Sequence, residues 1–333
     1  MSGNEINELA STLPAPAARD LPGDRASLLR EHMLTEIRRA TLAPEAPRRV
    51  RRMSPVRAAG ACLLAAAAGV STFVLVAGTG KAPGGASPAA AKLLAKIANA
   101  AQHQSSPPVT DGDFMYIRSE VAFATYTNGG STPKMDKLHE RQVWLPVANI
   151  CATGLLIENG ASTPLSAYPV ANGKVVTPSP GSGFIGCGKG SLNDPTYRLL
   201  QALPTDPRTL LNLIYAGTRG EGQAVGPDGE AFTTIGDLIR ETIVPPRTAA
   251  ALYRAAALIP GVTVVGHVTN AVGRPGIAVA FTGNGNRFEW IFDPATLQFI
   301  GERDYDTTQH AVTGDTAILR EAFVAKAGQL PRG

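Results

Sequence analysis

Between Ala58 and Gly80 the chain runs for 23 residues without a charge, reading AAGACLLAAAAGVSTFVLVAGTG. A hydrocarbon core about 30 Å thick takes roughly 20 helical residues, so the stretch predicts one membrane-spanning helix. Arg48, Arg49, Arg51, Arg52 and Arg57 precede it, and only Lys81 follows closely. That excess of arginine orients the helix with its N-terminal side in the cytoplasm and everything after Lys81 outside. The expectation is a single-pass protein of the cell membrane: a cytoplasmic tail over 1–57, a transmembrane helix over 58–80, a linker over 81–88 and an extracytoplasmic domain over 89–333. A signal peptide would carry its apolar core close to residue 1, whereas a polar segment comes first here; cleavage after the helix, in the small-residue patch 81–91, stays open. Cys62 precedes most of the apolar run, the reverse of a lipoprotein site, and reads as an ordinary helix residue.

Within the tail, residues 1–23 hold three prolines and little periodicity. From Asp24 the text DRASLLREHMLTEIRRA sets Leu29, Met33 and Ile37 at four-residue spacing, widened by Leu28 and Leu34, with Asp24 as a capping residue and Arg38 and Arg39 at the end favoured by the helix dipole. One amphipathic helix has no core in which to hide that stripe. It lies on the inner leaflet or docks on a cytoplasmic partner. His32 has no second histidine or cysteine near it, so no zinc site forms there.

Beyond the membrane, Ser87-Pro88 opens a helix with a buried face of Leu93, Leu94 and Ile97. The texture then turns to strand. Residues 113–126 alternate Met115, Ile117, Val121 and Phe123 with Tyr116, Arg118 and Glu120, and a second strand over 137–145 makes an antiparallel pair with it. Residues 150–192 read as loop with one short strand. Helical pieces follow over 195–202, 206–216 and 232–259, the last broken at Pro245-Pro246. Four strands over 262–269, 276–281, 287–292 and 298–305 form a meander, and 317–325 is a closing strand or helix. The fold class is α+β with antiparallel strands.

Charge narrows the function. The tail carries ten basic and seven acidic residues and the part after Gly80 twenty-one and twenty, within a net +4 for 333 residues. A nearly neutral exported domain lacks the basic face that nucleic acid requires. Cys151 and Cys187 are the only cysteines on the oxidising side, which favours a disulfide between them.

The text LPAPAARDLPGDRASLLREHMLTEI, the arginine cluster with its helix, LPTDPRTLLNLIY, and the pair NAVGRPGIAVAF and DPATLQFIGERDY together resemble an actinobacterial family of single-pass membrane proteins. Members of that family are commonly encoded beside alternative sigma factors, which implies a regulatory role with a sigma factor as cytoplasmic partner. The order of elements in the exported half also resembles the half-barrel of the lipoprotein carrier LolA and the anti-sigma partner RseB. That likeness implies a concave sheet with helices packed on it. The zinc-binding His/Cys signature of many anti-sigma domains is missing here.

Catalytic motifs fail on context. Gly181, Gly183 and Gly186 spell GxGxxG with no strand before and no helix after, and Gly183 to Lys189 spells GxxxxGK with Gly190 where Ser or Thr must reach magnesium. No GxSxG elbow occurs, His103, His139, His267 and His310 are scattered, and the carboxylates form no cluster along the sequence. The reading is a regulator or sensor that binds rather than catalyses, without cofactor or metal, taking a lipid-like or protein ligand outside. The alternative is a membrane-tethered carrier or chaperone of lipids or lipoproteins with an apolar cleft.

Overall fold

The computed structural model describes residues 84–125, 133–166, 170–171, 174–175, 188, 190–219 and 225–332. Leu29, Met33 and Ile37, the five arginines, the 58–80 stretch and Cys187 lie outside them. Among the described residues no helix is long and apolar enough to cross a membrane.

Helix α1 (Pro88–Gln102) opens on Ser87, whose hydroxyl accepts the amide of Ala90 at 3.3 Å, with Pro88 in the first turn. There follow β1 (Phe114–Thr125), β2 (Lys134–Met135), β3 (His139–Pro146), β4 (Gly154–Glu158) and β5 (Ala161–Leu165), then the short ribbons β6 (Val170–Ala171) with β7 (Lys174–Val175) and β8 (Gly190–Ser191) with β9 (Asp194–Pro195). Four helices come next: α2 (Tyr197–Ala202), α3 (Pro207–Gly217), α4 (Gly226–Glu241) and α5 (Pro246–Ala256). The meander β10 (Val262–Thr269), β11 (Pro275–Gly283), β12 (Asn286–Phe292), β13 (Phe299–Asp306) and β14 (Ala311–Val324) ends the described chain.

The strands form one antiparallel sheet in the order β10-β11-β12-β13-β14-β1-β3-β4-β5, with β2 added on β1. Its centre is the pairing of β1 with β14, from Phe114 opposite Val324 to Phe123 opposite Gly314. The architecture is therefore α+β, as the sequence pattern leads one to expect.

Alternation along the strands sorts side chains between two faces. Val279 and Phe281 of β11 and Trp290 and Phe292 of β12 face the helices and join Leu94, Ile97, Phe232, Ile235 and Leu252 in the main core. Full burial of side chains this size stabilises by about 1.5–3 kcal/mol each. The other face holds Val268, Ala278, Ile291 and Ile300, and farther along Tyr116, Trp144 and Val324. The C-terminal segment runs over that second group, and the Gln329 carbonyl accepts the Trp144 indole N–H at 2.8 Å.

Helix α4 is the element that crosses the sheet. Phe232 stacks on Trp290 with centroids 3.8 Å apart and planes 4° from parallel. One turn on, Gly236 lies so close to the indole that a Cβ would come within 2.4 Å of Nε1. The missing side chain is what lets the helix sit down on the strands.

Two expectations change, and an open alternative is decided. α4 begins at Gly226 rather than Phe232: Gly226, Pro227 and Gly229 read as breakers, yet proline in a first turn starts a helix. Strands β4 and β5 occupy what reads as loop, joined by Asn159 and Gly160 at φ 50° and 75°, the Asn-Gly hairpin turn. The closing segment is a strand, and a long one, because β1 and β13 flank it on both sides.

Candidate functional site

The last turn of α4 presents Asp237, Arg240 and Glu241. Arg240 lies 2.8 Å from Asp237, 3.3 Å from Glu241 and 3.2 Å from Glu302 of β13. Glu241 accepts Arg141 Nη1 of β3 at 2.9 Å, Arg141 is 3.8 Å from Glu158 of β4, and Glu158 meets His139 Nε2 at 2.9 Å. The charges thus span the sheet from β13 to β4 on the face that α4 covers. In register beneath them, Thr316 opposite Glu302 and Ser119 opposite Arg141 are buried.

Solvent access falls steeply along this seam. The Asp237 side chain is 57% exposed at the rim, and Glu302 below is 11% exposed. Burial pushes the Glu302 carboxyl up to about 8; Arg240 pulls it down, but Asp304, Asp237 and Glu241 push it further up. Burial would raise Glu241 too, yet Arg141 and Arg240 outweigh it and hold that carboxyl below the ordinary range. For His139 burial opposes the charge, and the Lys137 carbonyl and the Glu158 carboxylate overcome it, so its pKa is raised.

A second ionic group lies on the opposite face. Glu289 is fully buried between Arg287 at 2.5 Å and Arg303 at 2.7 Å, and the Arg287 guanidinium sits 4.5 Å above the Tyr305 ring. Burial pushes neighbouring Asp315 up to about 6 in spite of Arg303.

Of the histidines named from the sequence, His139 joins the seam, while His103 bonds only the Asn99 carbonyl of its own helix at 2.7 Å. Among the described residues no group of three His, Cys, Asp or Glu is arranged to hold a metal. Cys151 follows β3, its amide donating to Asn149 Oδ1 at 2.8 Å, and the amide of adjacent Ile150 donates to the Gly188 carbonyl at 3.1 Å. The carboxylates do cluster, contrary to their scatter along the sequence, because β3, β4, α4 and β13 bring distant segments together. Two local signs point to it: Asp237 and Arg240 at helical i,i+3 spacing, and the charged alternation of GERDY over 301–305.

No protein-family model matches the chain, and no curated protein matches it. Among solved structures it is similar to the Pseudomonas aeruginosa MucA/MucB complex at 11% identity and TM-score 0.27, covering 73% of this chain and 58% of that one. It is similar as well to MucB alone at 14% identity and TM-score 0.26, covering 73% and 60%, and to MucB in complex with MucA(peri) at 12% and 0.22, covering 73% and 59%. This chain therefore spans less than two thirds of the length of the chains it matches in these structures. Scores at that level carry no functional argument.

Proposed function

We propose that this chain is a membrane-anchored regulator: its extracytoplasmic domain binds a ligand or protein partner, and its tail helix at Leu29, Met33 and Ile37 relays the result to a sigma factor or another cytoplasmic regulator. One observation supports binding over carrying. The sheet face that a carrier of lipids or lipoproteins would leave open as an apolar cleft is occupied by α4, with Phe232 stacked on Trp290 and Arg240 anchored on Glu302. On that face the charged groups are tied to one another rather than gathered around a nucleophile, which favours a binding role over catalysis. The arginines from Arg48 to Arg57 and the uncharged run behind them supply the anchor and its orientation.

The test is capture of cytoplasmic partners by the full chain. Replacing Leu29 and Met33 by Glu removes two apolar anchors worth about 1.5–3 kcal/mol each and should weaken capture by roughly two orders of magnitude or more. Equal capture by the double variant overturns the regulatory reading and leaves the carrier in its place.

The same reading includes a Cys151–Cys187 disulfide on the oxidising side. The bond from Ile150 to Gly188 joins the chain neighbours of the two cysteines and supports it. A loop of this size is worth roughly 3–4 kcal/mol in the chain-entropy model. Thiol titration of the unfolded, unreduced chain should find one free thiol, that of Cys62; three would overturn the pairing.

A further inference from the structure

On the face of the sheet turned away from the helices, residues 325–332 return over the group of Tyr116, Trp144, Leu155 and Ile157 once β14 has ended. This segment is lightly held. Among the described residues it makes one backbone hydrogen bond of its own, from the Gln329 amide to the Lys326 carbonyl at 3.2 Å. Two side chains of the sheet reach its backbone: the Trp144 indole N–H donates to the Gln329 carbonyl at 2.8 Å, and the Arg320 guanidinium donates to the Arg332 carbonyl. Ala327 packs on the rings, while Lys326, Gln329, Leu330 and Arg332 are exposed, Leu330 at 62%. What lies underneath is a pair of buried rings, Tyr116 and Trp144, with centroids 5.0 Å apart.

The two bonds to the segment describe a ligand. The carbonyls they take are three residues apart, with Pro331 between them and Leu330 held extended by the proline that follows it. In a polyproline conformation, with three residues per turn, carbonyls so spaced face the same side. An aromatic groove with an N–H donor among its rings suits proline-containing segments, and neither bond reads a side chain of the segment. A different sequence of the same shape can make both.

Charge indicates which sequence fits better than the chain's own. Arg118 of β1 stands directly opposite Arg320 of β14 in the register, like charges that repel across a sheet. The Glu140 carboxylate is 3.9 Å from Arg118 and already accepts Gln142 Nε2 at 2.6 Å, and Arg118 Nε is buried without a hydrogen bond. Among the described residues Arg320 donates only to the Arg332 carbonyl, and Arg332 brings a third positive charge to the same end.

We propose that this groove is a docking site for an extended, proline-containing segment of a partner protein that carries an acidic residue where this chain has Arg332, and that residues 325–332 are its built-in competitor. The proposal rests on the partner-binding reading of the domain and names the chemistry of the partner. Its test does not involve Leu29 or Met33, so the groove and the tail contact can fail separately.

Two fluorescent peptides capped at both ends, AKAGQLPR from residues 325–332 and AKAGQLPE with the final Arg replaced, are titrated onto the full chain and onto a chain ending at Val324. The shortened chain should bind the acidic peptide saturably, and the Arg peptide about fivefold to tenfold more weakly. A tethered competitor acts at an effective concentration of about 1 mM, so the full chain should bind the acidic peptide about tenfold or more weakly than the shortened one. Trp144→Phe, which keeps a ring and removes the N–H, should weaken binding to the shortened chain about fivefold, with Trp290 emission reporting that the fold is kept. If the shortened chain does not fold, Ala327→Asp in the full chain loosens the segment instead and should strengthen binding of the acidic peptide over the unmodified chain. No saturable binding to the variant that folds, equal affinity for the two peptides, or equal affinity with the segment in place and loosened or removed overturns the proposal. Dimerisation of the shortened chain with no peptide bound gives the face to a second copy and overturns it as well.

Discussion

Two buried glutamates on neighbouring strands face opposite sides of one sheet and live by different rules. Glu289 on β12 is paired with two guanidiniums, Arg287 from its own strand and Arg303 from β13, the second of which also acts on Asp315. Glu302 on β13 has one, Arg240, which it shares with Asp237 and Glu241 and which approaches at 3.2 Å without a well-directed hydrogen bond. The same low dielectric that magnifies a complete ion pair penalises a partial one. The first arrangement can serve as a static clamp, and the second leaves a carboxyl for which binding a proton is the easier course.

Breaking the clamp should have the largest effect. Arg303→Met leaves Glu289 buried with a single cation, and loss of one partner from a buried pair costs about 3–5 kcal/mol, read as a lower denaturation midpoint at neutral pH. The pH dependence around Glu302 comes next. A raised carboxyl means that stability falls as pH climbs from the ordinary carboxylate range through about 8. Glu302→Gln should therefore match the unmodified chain near pH 5 and exceed it by roughly 1–3 kcal/mol near pH 9, in parallel urea titrations. Smallest is Gly236→Ala. The added methyl collides with the Trp290 indole, while alanine gains helix propensity, for a net loss of about 1–2 kcal/mol that should appear together with changed Trp290 fluorescence and with Glu289 untouched.

Much of the fold could be read along the chain, because most of its signals are local. Ser87-Pro88 starts α1, Asp206 caps Thr209 at 2.8 Å to start α3, Pro245 separates two helices, and alternation marks β1, β3 and the meander. Misreadings came where one residue type serves two ends. Gly226 and Pro227 look like breakers and open a helix, and a Gly/Ser/Pro-rich region conceals a hairpin whose Asn159-Gly160 turn was its signature. The ionic seam was legible only in fragments. Arg141, Arg240 and Glu302 are far apart in sequence, and periodicity reports which way a side chain points, never what waits across the sheet.

The pairing of β1 with β14 also governs the order in which the molecule can assemble. The chain is synthesised from its N-terminus, so β1, with Met115 and Ile117, exists long before β14 supplies the long neighbour against which it is fully paired. The meander β10–β14 closes through short turns and can form early on its own contacts. The first half has to wait for it, since distant strands pay their loop-closure entropy before any reward arrives. A nascent chain of this topology presents an unsatisfied strand edge on β1 until β14 has emerged, which makes it a client for holding factors during synthesis and makes removal of β14 far more damaging than loss of an edge strand.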